Sequence, residues 1–395
     1  IYPVKKEKNI MELKIDRVKW LLGVDISVNK IKEILKSLEF KVSGEDVLRV
    51  EIPSFRDDVT IEADLIEEIA RIYGYDNIPS KLMDTAFTLG GRDNKQKIRQ
   101  MTRNNLTAQG LFEIYTYSFV SPSVFNKINL RAENPLRRAI RILNPLGEDQ
   151  SIMRTTLIPN ILEVLSRNYN RRIDSCSIFE INPVFLPKEL PLTDLPHEVM
   201  TLTMGEYGEG MDFYTLKGKV EALTSIMGLS RRTSFQAAQH PALHPGRTAE
   251  VLIDDEPVGI IGEVHPGTAD NYELNTRVIL AELNLQAMLD KADTIRKHKP
   301  LPKYPAVTRD LAFIVEKRVQ AAQILKLICK GGGNILEDVS LFDIYEGSQI
   351  PEGFKSMAYS LTYRASDRTL TDDEVNRAHQ RIVSLLENEL GARLR

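Results

Sequence analysis

Residues 52–79 read IPSFRDDVTIEADLIEEIARIYGYDNIP and hold a clear helical pattern. Apolar residues in this stretch recur at spacings of three and four, which predicts one buried stripe along a helix. The residues of the stripe are Ile61, Leu65, Ile69 and Ile72. Pro79 follows soon after and is a natural stop. The stretch therefore predicts an amphipathic helix packed on a small core.

The same helix carries a cluster of acidic residues. Asp64, Glu67 and Glu68 stand at i, i+3 and i+4 and should share one face, and Asp58 lies in the turn that enters the helix. Carboxylate oxygens suit Mg²⁺, which binds few protein ligands and can be shared between subunits. The helix dipole alone also favours acids near a helix start, by about 0.3–1 kcal/mol, and Glu67 can pair with Arg71. Spacing leaves both interpretations open.

The length, charge and cysteine content limit the classes to which the protein can belong. A chain of 395 residues predicts about two to four domains at roughly 100 to 200 residues each. A net charge of -3 excludes an overall basic nucleic-acid binder, so any RNA contact must come from a local patch. Cys176 and Cys329 lie in apolar runs, which predicts two core thiols and a reducing compartment.

The sequence shows neither a membrane-spanning segment nor a signal peptide. No run of about 18 uncharged apolar residues occurs, and the first residues lack the apolar centre of a signal peptide. We therefore expect a cytoplasmic protein with no membrane partner. The first residue is not Met, which indicates a piece cut from a longer chain.

Three regions follow one another along the chain. Residues 1–82 read as a small α/β module in which strands at Leu13 to Ile15 and Val47 to Ile52 flank a helix from Val28 to Leu38. A polar segment, 80–92, contains Gly90-Gly91 and reads as a linker. A second linker, Lys291 to Lys299, separates the middle region 92–290 from the last region 301–395.

The middle region mixes helices and strands without regular βαβ spacing, which predicts an α+β domain with a largely antiparallel sheet. The predicted helices are Asn94 to Gln109, 157–169 and 213–227. The predicted strands are Phe112 to Val120, Cys176 to Phe185, Glu198 to Met204, Ala249 to Ile253, Val258 to Val264 and Val278 to Leu283.

The last region has the order βαββαβ, which is ferredoxin-like. The predicted elements are strand Asp310 to Val315, helix Val319 to Cys329, strands Ile335 to Tyr345 and Ser356 to Arg364, helix 372–389 and a short final strand. Gly331-Gly332-Gly333 should close the first helix. Thr371 and Glu374 have the spacing of a capping box at the start of the second.

A sheet covered by helices on one face leaves the other face free for single-stranded RNA. Alternation along the strand 356–364 predicts that one set of residues is buried and that a set of small residues is open. The first set is Met357, Tyr359, Leu361 and Tyr363, and the second is Ala358, Ser360, Thr362 and Arg364. Arg309, Arg364 and Arg368 could meet phosphates, yet the region has 13 basic and 13 acidic side chains.

Other chemistry finds little support. His240, His244 and His265 could suggest zinc, but no cysteine lies nearby to complete four ligands, so turn and core histidines are favoured. The chain has neither Gly-x-Ser-x-Gly nor a Gly-x-x-x-x-Gly-Lys-Ser/Thr phosphate loop. A hydrolase that uses the carboxylate cluster with its own metal remains an alternative.

The opening stretch closely resembles a signature of the β subunit of bacterial-type phenylalanyl-tRNA synthetases. Further stretches agree: Asn144-Pro145-Leu146 with 153–157, His244-Pro245-Gly246 with 262–266, Lys303-Tyr304-Pro305 with Arg309-Asp310, and 369–375. The resemblance covers the C-terminal half of such a subunit. The family's editing modules should precede residue 1.

The resemblance implies roles for named residues. Asp58, Asp64, Glu67 and Glu68 match the family's Mg²⁺ ligands, in a site completed by the catalytic α subunit. Residues 301–395 match its anticodon-binding domain, so Lys303, Arg309, Arg364 and Arg368 are candidates for tRNA contacts. The implied assembly is an α2β2 heterotetramer that binds the phenylalanine tRNA and no DNA.

The middle domain would resemble a class II synthetase fold that has lost its chemistry. An active site of that class needs an Arg two residues before a motif Glu, but Ile178 precedes Glu180. Gly259 to Glu263 is also followed by no matching Arg. The resemblance therefore implies no catalytic residues here, with ATP used by the assembled ligase and not bound by this chain. The alternative is a free-standing RNA-binding or scaffold protein built from the same modules.

Overall fold

A computed structural model describes residues 8–82, 90–296, 298, 300–347 and 349–395. The chain forms two compact units, residues 1–90 and 91–395. The predicted linker 80–92 falls mainly on 83–89, which lie outside the described residues, as do 1–7 and two residues of the second predicted linker, Lys297 and Lys299. No helix in the described part of the chain is long and apolar enough to cross a membrane.

The first unit is a three-stranded antiparallel sheet with three helices. Its elements are β1 Ile10–Lys14, α1 Ile15–Leu22, α2 Val28–Ser37, β2 Lys41–Ser43, β3 Val47–Glu51 and α3 Glu62–Tyr73. The strand order is β1-β3-β2. The predicted helix and the strand near residue 47 are confirmed, while α1, which starts directly after β1, was not predicted.

The predicted apolar stripe of α3 is correct only in its centre. Leu65, Ile66 and Ile69 are buried, but Ile61 is 58% exposed and Ile72 is 43% exposed. Ile61 precedes the helix and Ile72 lies in its last turn, where the core no longer covers the stripe. Periodicity identified the buried face and overestimated its length.

The middle of the chain forms a seven-stranded sheet with helices on both faces and a separate two-stranded sheet. Its elements are α4 Asn94–Ala108, β4 Phe112–Glu113, β5 Phe119–Val120, α5 Val124–Lys127, β6 Ile152–Met153, α6 Ile158–Asn170, β7 Cys176–Leu186, β8 His197–Tyr207, α7 Phe213–Ile226, β9 Thr233–Ala237, β10 Leu243–Ile253, β11 Glu256–Val264, α8 Pro266–Asn271, β12 Ile279–Asn284 and α9 Leu285–Lys291.

The order β4-β7-β8-β12-β11-β10-β9 is antiparallel throughout except between β4 and β7, which confirms the prediction of an α+β domain. Neighbouring residues of β7 enter different cores. Phe179 packs with α4, α7 and α9, and Ile178 packs with α6 on the other face. The predicted strand Phe112 to Val120 is wrong, because only two residues at each end pair, in β4 and β5.

The last part of the chain is ferredoxin-like, as predicted. Its elements are β13 Val307–Glu316, α10 Ala321–Gly332, β14 Leu336–Tyr345, β15 Phe354–Tyr363, α11 Asp372–Leu390 and β16 Arg393–Leu394, in the sheet order β14-β15-β13-β16. The four large residues of β15 predicted to be buried are at most 1% exposed. Gly333 ends α10 in a positive-φ conformation.

The cysteine prediction is half right. Cys176 is half-buried in β7, but Cys329 is exposed. The core positions of α10 are Ile324, Ile328 and Gly331, and Cys329 points away from them. The prediction that Cys329 is a core thiol is therefore wrong.

Candidate functional site

Arg56 is the centre of the acidic cluster in the first unit. Its guanidinium donates to both carboxylate oxygens of Asp58, with Nη2 2.7 Å from Oδ2, and to Glu68 Oε1 at 3.0 Å. The same guanidinium lies 5.7 Å from the centre of the Phe40 ring. It lowers the pKa of both carboxyls and keeps them ionised.

The remaining acids of the cluster have different surroundings. The Asp64 carboxylate accepts hydrogen bonds from the backbone N–H groups of Thr60, at 2.7 Å, and Ile61, at 2.9 Å, which lower its pKa. Glu67 is exposed, whereas Glu68 is buried and binds Arg71 at 2.5 Å. The predicted pairing of Arg71 with Glu67 is therefore wrong, because Arg71 reaches the carboxylate three residues before it.

The four carboxylates do not form a metal site by themselves. Within the described ranges, no three His, Cys, Asp or Glu side chains are grouped so that they could hold a metal ion. Arg56 neutralises two of the four predicted ligands, and Asp64 caps the start of α3. This chain alone therefore does not fit Mg²⁺, and a site shared with another subunit stays a prediction.

The three histidines that precede prolines share one local geometry. The Nδ1 atoms of His240, His244 and His265 each accept a hydrogen bond from the backbone N–H two residues later, at 3.1–3.2 Å. This bond fixes each ring against its own backbone. His240 begins a turn, as predicted, whereas His244 lies in β10 and His265 caps the start of α8, so the turn prediction is correct for His240 only.

Three of the four cations predicted to contact tRNA are in ion pairs within the last domain. Arg309 contacts Asp372 at 3.2 Å, and Arg364 contacts Glu337 at 2.8 Å. Arg368 contacts Asp367 and Glu374. Lys303 is exposed. Ion pairs between exposed side chains contribute only about 0–1 kcal/mol to stability. Breaking them so that the arginines can bind a phosphate therefore costs little.

A buried ion pair lies in the middle domain. Arg154 and Glu180 are 1% and 0% exposed in their side chains and are 3.1 Å apart. Burial lowers the pKa of Arg154, and the carboxylate opposes that effect. The pair has neutral partners as well: Arg154 Nε donates to the Pro183 carbonyl at 3.1 Å, and Asn182 donates to Glu180 at 2.8 Å.

The buried pair anchors the irregular segment 114–118. Thr116 donates its hydroxyl to Glu180 at 2.7 Å and its backbone N–H at 3.2 Å. Asn160 donates to the Tyr117 carbonyl at 3.1 Å. Because Thr116 points inward, Tyr115 and Tyr117 on either side of it point outward, and each is 74% exposed.

These two tyrosines continue a row of exposed apolar side chains. Phe112 is 75% exposed on the edge strand β4, and Phe119 is 41% exposed in β5. We call Phe112, Tyr115, Tyr117 and Phe119 the aromatic row. Contiguous exposed aromatic side chains mark protein interfaces. Sequence reasoning missed the row, although aromatic residues at alternate positions 115, 117 and 119 were its signal.

Three protein families match separate parts of the chain. A tRNA synthetase B5 domain matches residues 11–75. The Phenylalanyl tRNA synthetase beta chain CLM domain matches residues 78–285. A Ferredoxin-fold anticodon binding domain matches residues 302–395.

Curated relatives extend the similarity over the whole chain. A phenylalanine–tRNA ligase β subunit of Clostridium tetani is 44% identical over 99% of this chain and 49% of its own length. That of Clostridium acetobutylicum is 41% identical over 100% of this chain and 50% of its own length. The chain thus spans about half the length of these relatives.

One solved structure is more distant. A pyrrolysyl-tRNA synthetase of Desulfitobacterium hafniense is 18% identical, with a TM-score of 0.40, over 49% of this chain and 66% of that one. A likeness at this level carries no conclusion about function.

Proposed function

Since the chain belongs to the phenylalanyl-tRNA synthetase β-chain family, we propose that it is the C-terminal part of a phenylalanine–tRNA ligase β subunit. It supports the ATP-dependent attachment of phenylalanine to its tRNA by assembling with a catalytic α subunit in an α2β2 heterotetramer in the cytoplasm. The division into 1–82, 92–290 and 301–395 remains our proposal, supported by three family matches with similar limits.

The aromatic row is the observation that carries the assembly role. Three of its members are about three-quarters exposed, and burying one such side chain at an interface stabilises a complex by roughly 1.5–3 kcal/mol. Leu143 and Leu146 add apolar side chains that are 97% and 99% exposed. In the isolated chain these side chains are exposed to water and do not stabilise the fold. A partner that covers them removes them from water, which stabilises the complex.

Binding of tRNA is supported by the last domain. Its match to an anticodon-binding fold agrees with the ferredoxin-like topology of residues 307–394. Lys303, Arg309, Arg364 and Arg368 remain the proposed tRNA contacts, and the weak ion pairs of the three arginines leave them available to phosphates.

Aminoacylation is assigned to α, and the isolated chain is expected to be inactive. Glu180, the motif residue that should follow an active-site Arg, is fully buried and accepts hydrogen bonds from Arg154 and Thr116. A carboxylate held in this way has no access to a nucleotide. ATP is therefore proposed to bind the holoenzyme elsewhere.

The Mg²⁺ proposal concerns Asp58, Asp64, Glu67 and Glu68 in the assembled protein only. Glu67 is exposed and could face a partner, whereas Asp58 and Glu68 are both hydrogen-bonded to Arg56 in this chain. Calorimetry should therefore detect weak or no Mg²⁺ binding by the chain alone and binding with α present, reduced in Glu67→Gln. Tight binding without α would instead favour a metal-dependent hydrolase.

The assembly role is tested by mixing the chain with the matching α subunit and measuring mass by light scattering. We expect a large complex, which Tyr115→Asp combined with Tyr117→Asp should disrupt. Tyr214→Asp is the matched control, because Tyr214 is 75% exposed but lies on α7, outside the row. Absence of any complex for the unaltered chain would overturn the assembly role. Retained tRNA binding in that case would favour a free-standing RNA-binding protein.

A further inference from the structure

A basic groove runs between α10 and α11 on the helix-covered side of the last domain. We propose that this groove binds the phosphate backbone of RNA through Lys330, Arg377 and Arg381. The proposal rests on the proposed function and adds to it a second contact surface, on the face opposite the open sheet.

The groove has a volume of about 920 Å³ and is lined mainly by polar side chains. Besides the three cations, its lining includes Asn334, Gln380, Ser384 and Asn388. Amide and hydroxyl groups of this kind donate hydrogen bonds to phosphate and sugar oxygens. The groove therefore combines positive charge with neutral donors.

Two glycines give the groove its floor. A Cβ atom on Gly331 would lie 2.9 Å from the Ile382 Cα atom, and a Cβ on Gly332 would lie 2.5 Å from a Leu336 methyl group. Both distances are too short for real contacts, so only glycine allows the end of α10 to pack this closely on α11 and β14. The close packing brings Lys330 beside the cations of α11.

The cations of the groove are available. Lys330 and Arg381 are exposed and make no ion pair among the described residues, and Arg377 donates only to the Asp373 carbonyl, at 3.2 Å. Arg377 and Arg381 are one turn apart on one face of α11, about 5–6 Å between their Cβ atoms. Two guanidinium groups so placed can contact neighbouring phosphates of one strand.

The single acid in the lining does not offset this charge. Glu374 accepts hydrogen bonds from Arg368, at 2.7 Å, and from the Thr371 backbone at the start of α11. Its charge is therefore used at the helix terminus. The three cations outnumber this one acid, so the lining stays positive even when Arg368 binds a phosphate instead.

The open face of the sheet lacks the positive excess of the groove. Strand register places Asp338 beside Thr362, Asp310 beside Ser360, and Asp343 beside Ala358, so three exposed acids share the face that lacks helices. Arg393 lies beside Ile314 on the same face, and Arg395 contacts Ser356 there, so acids and cations are mixed and the face has no excess of positive charge for phosphates. Phosphate contacts therefore fit the helix side better than the centre of the sheet.

RNA is a better occupant than a protein segment. Arginine is an anchor for protein and RNA partners alike, but the described lining contains none of the aromatic side chains on which protein interfaces also depend. Backbone binding to RNA needs cations and hydrogen-bond donors, both of which are present.

Fluorescence anisotropy on the whole 395-residue chain tests the groove, with a phenylalanine tRNA transcript and an unrelated RNA hairpin as probes. Arg377→Gln combined with Arg381→Gln should weaken binding of both RNAs about tenfold. It should also reduce the slope of log K against log salt by about 1.5, since each lost contact removes roughly 0.7–0.9. The two Arg→Lys changes should retain the slope. Arg318→Gln is the matched control, because Arg318 is an exposed arginine of the same domain outside the groove.

Unchanged affinity and slope in the double Gln variant would overturn the groove and leave the proposed tRNA binding intact. Equal loss in the Lys and Gln variants would also overturn it, because charge would then not be the cause. Failure of the unaltered chain to bind either RNA would overturn the proposed tRNA binding together with the groove. If RNA binding is unchanged but α binding is weakened, the groove instead holds an acidic protein partner.

Discussion

Removal of the Glu180 carboxylate should open the segment that carries the aromatic row. In Glu180→Leu, the buried Arg154 guanidinium loses the carboxylate that it contacts directly, and Thr116 loses the acceptor for both its hydroxyl and its N–H. We expect the exposed tyrosines on either side to lose their fixed direction.

The size of the effect follows from the burial of the pair. With side chains only 1% and 0% exposed, solvent cannot replace the lost partner. Breaking such a pair from one side costs about 3–5 kcal/mol, whereas replacing both partners by apolar residues is often nearly neutral. Arg154→Met combined with Glu180→Leu should therefore be more stable than Glu180→Leu alone.

Hydrogen exchange followed by mass spectrometry is the suitable measurement, because it resolves peptides of one domain in a chain that need not unfold in one step. The peptide that spans residues 112–120 should exchange about 100-fold faster in Glu180→Leu, which corresponds to about 3 kcal/mol at 1.4 kcal/mol per tenfold. Glu113→Gln is the control, because it removes a more exposed ion pair, with Arg103, beside the same segment. It should change exchange less than tenfold.

The anchoring role is refuted if Glu180→Leu and Glu113→Gln accelerate exchange equally. It is also refuted if the double variant is less protected than the single one. Either result would mean that the backbone pairing of β4 and β5 holds the segment without the buried pair.

Other positions give further predictions. Burial lowers the pKa of His240 to about 4 from 6.5, so protonation of this residue favours the unfolded state. Stability should therefore be lost as pH falls from 6.5 towards 4. In thermal melts recorded over this pH range, the melting temperature of His240→Asn should depend less on pH than that of the unaltered chain. Gly331→Ala should destabilise the last domain by about 1–3 kcal/mol through overpacking against Ile382, as measured by urea unfolding. Gly333→Ala meets no neighbour but would need φ 60° with ψ -151°, a conformation adopted essentially by glycine alone, so a loss of about 1–3 kcal/mol is expected. Thr371→Ala removes a helix cap and should cost about 0.5–2 kcal/mol in the same assay, and no loss would contradict the capping box.

Sequence patterns predicted the elements that are long and regular. The βαββαβ order, the capping box at Thr371 and the buried set of β15 were all correct, because alternation and end signals depend only on nearby residues. The short elements α8 and β9 were not predicted, since their few residues carry little periodicity.

The candidate site was harder to predict, because its contacts join residues far apart in sequence. Spacing placed Asp64, Glu67 and Glu68 on one helix face, but could not show that Arg56 fills the space between Asp58 and Glu68. Likewise, Arg154 and Glu180 are 26 positions apart, and nothing in the sequence indicated that the two would meet inside the core. Charge partners of this kind depend on the tertiary fold.

The pairing of β16 with β13 has a consequence for synthesis of the protein. Leu394 lies beside Phe313 and Arg393 beside Ile314, so among the described residues this part of one edge of the central strand pairs only with residues made after the whole of α11. While a ribosome still holds those residues, β13 has an unpaired edge that other chains can bind. The last domain should therefore complete its fold only after residue 394 leaves the exit tunnel, and chaperones that shield strand edges should matter most at that moment.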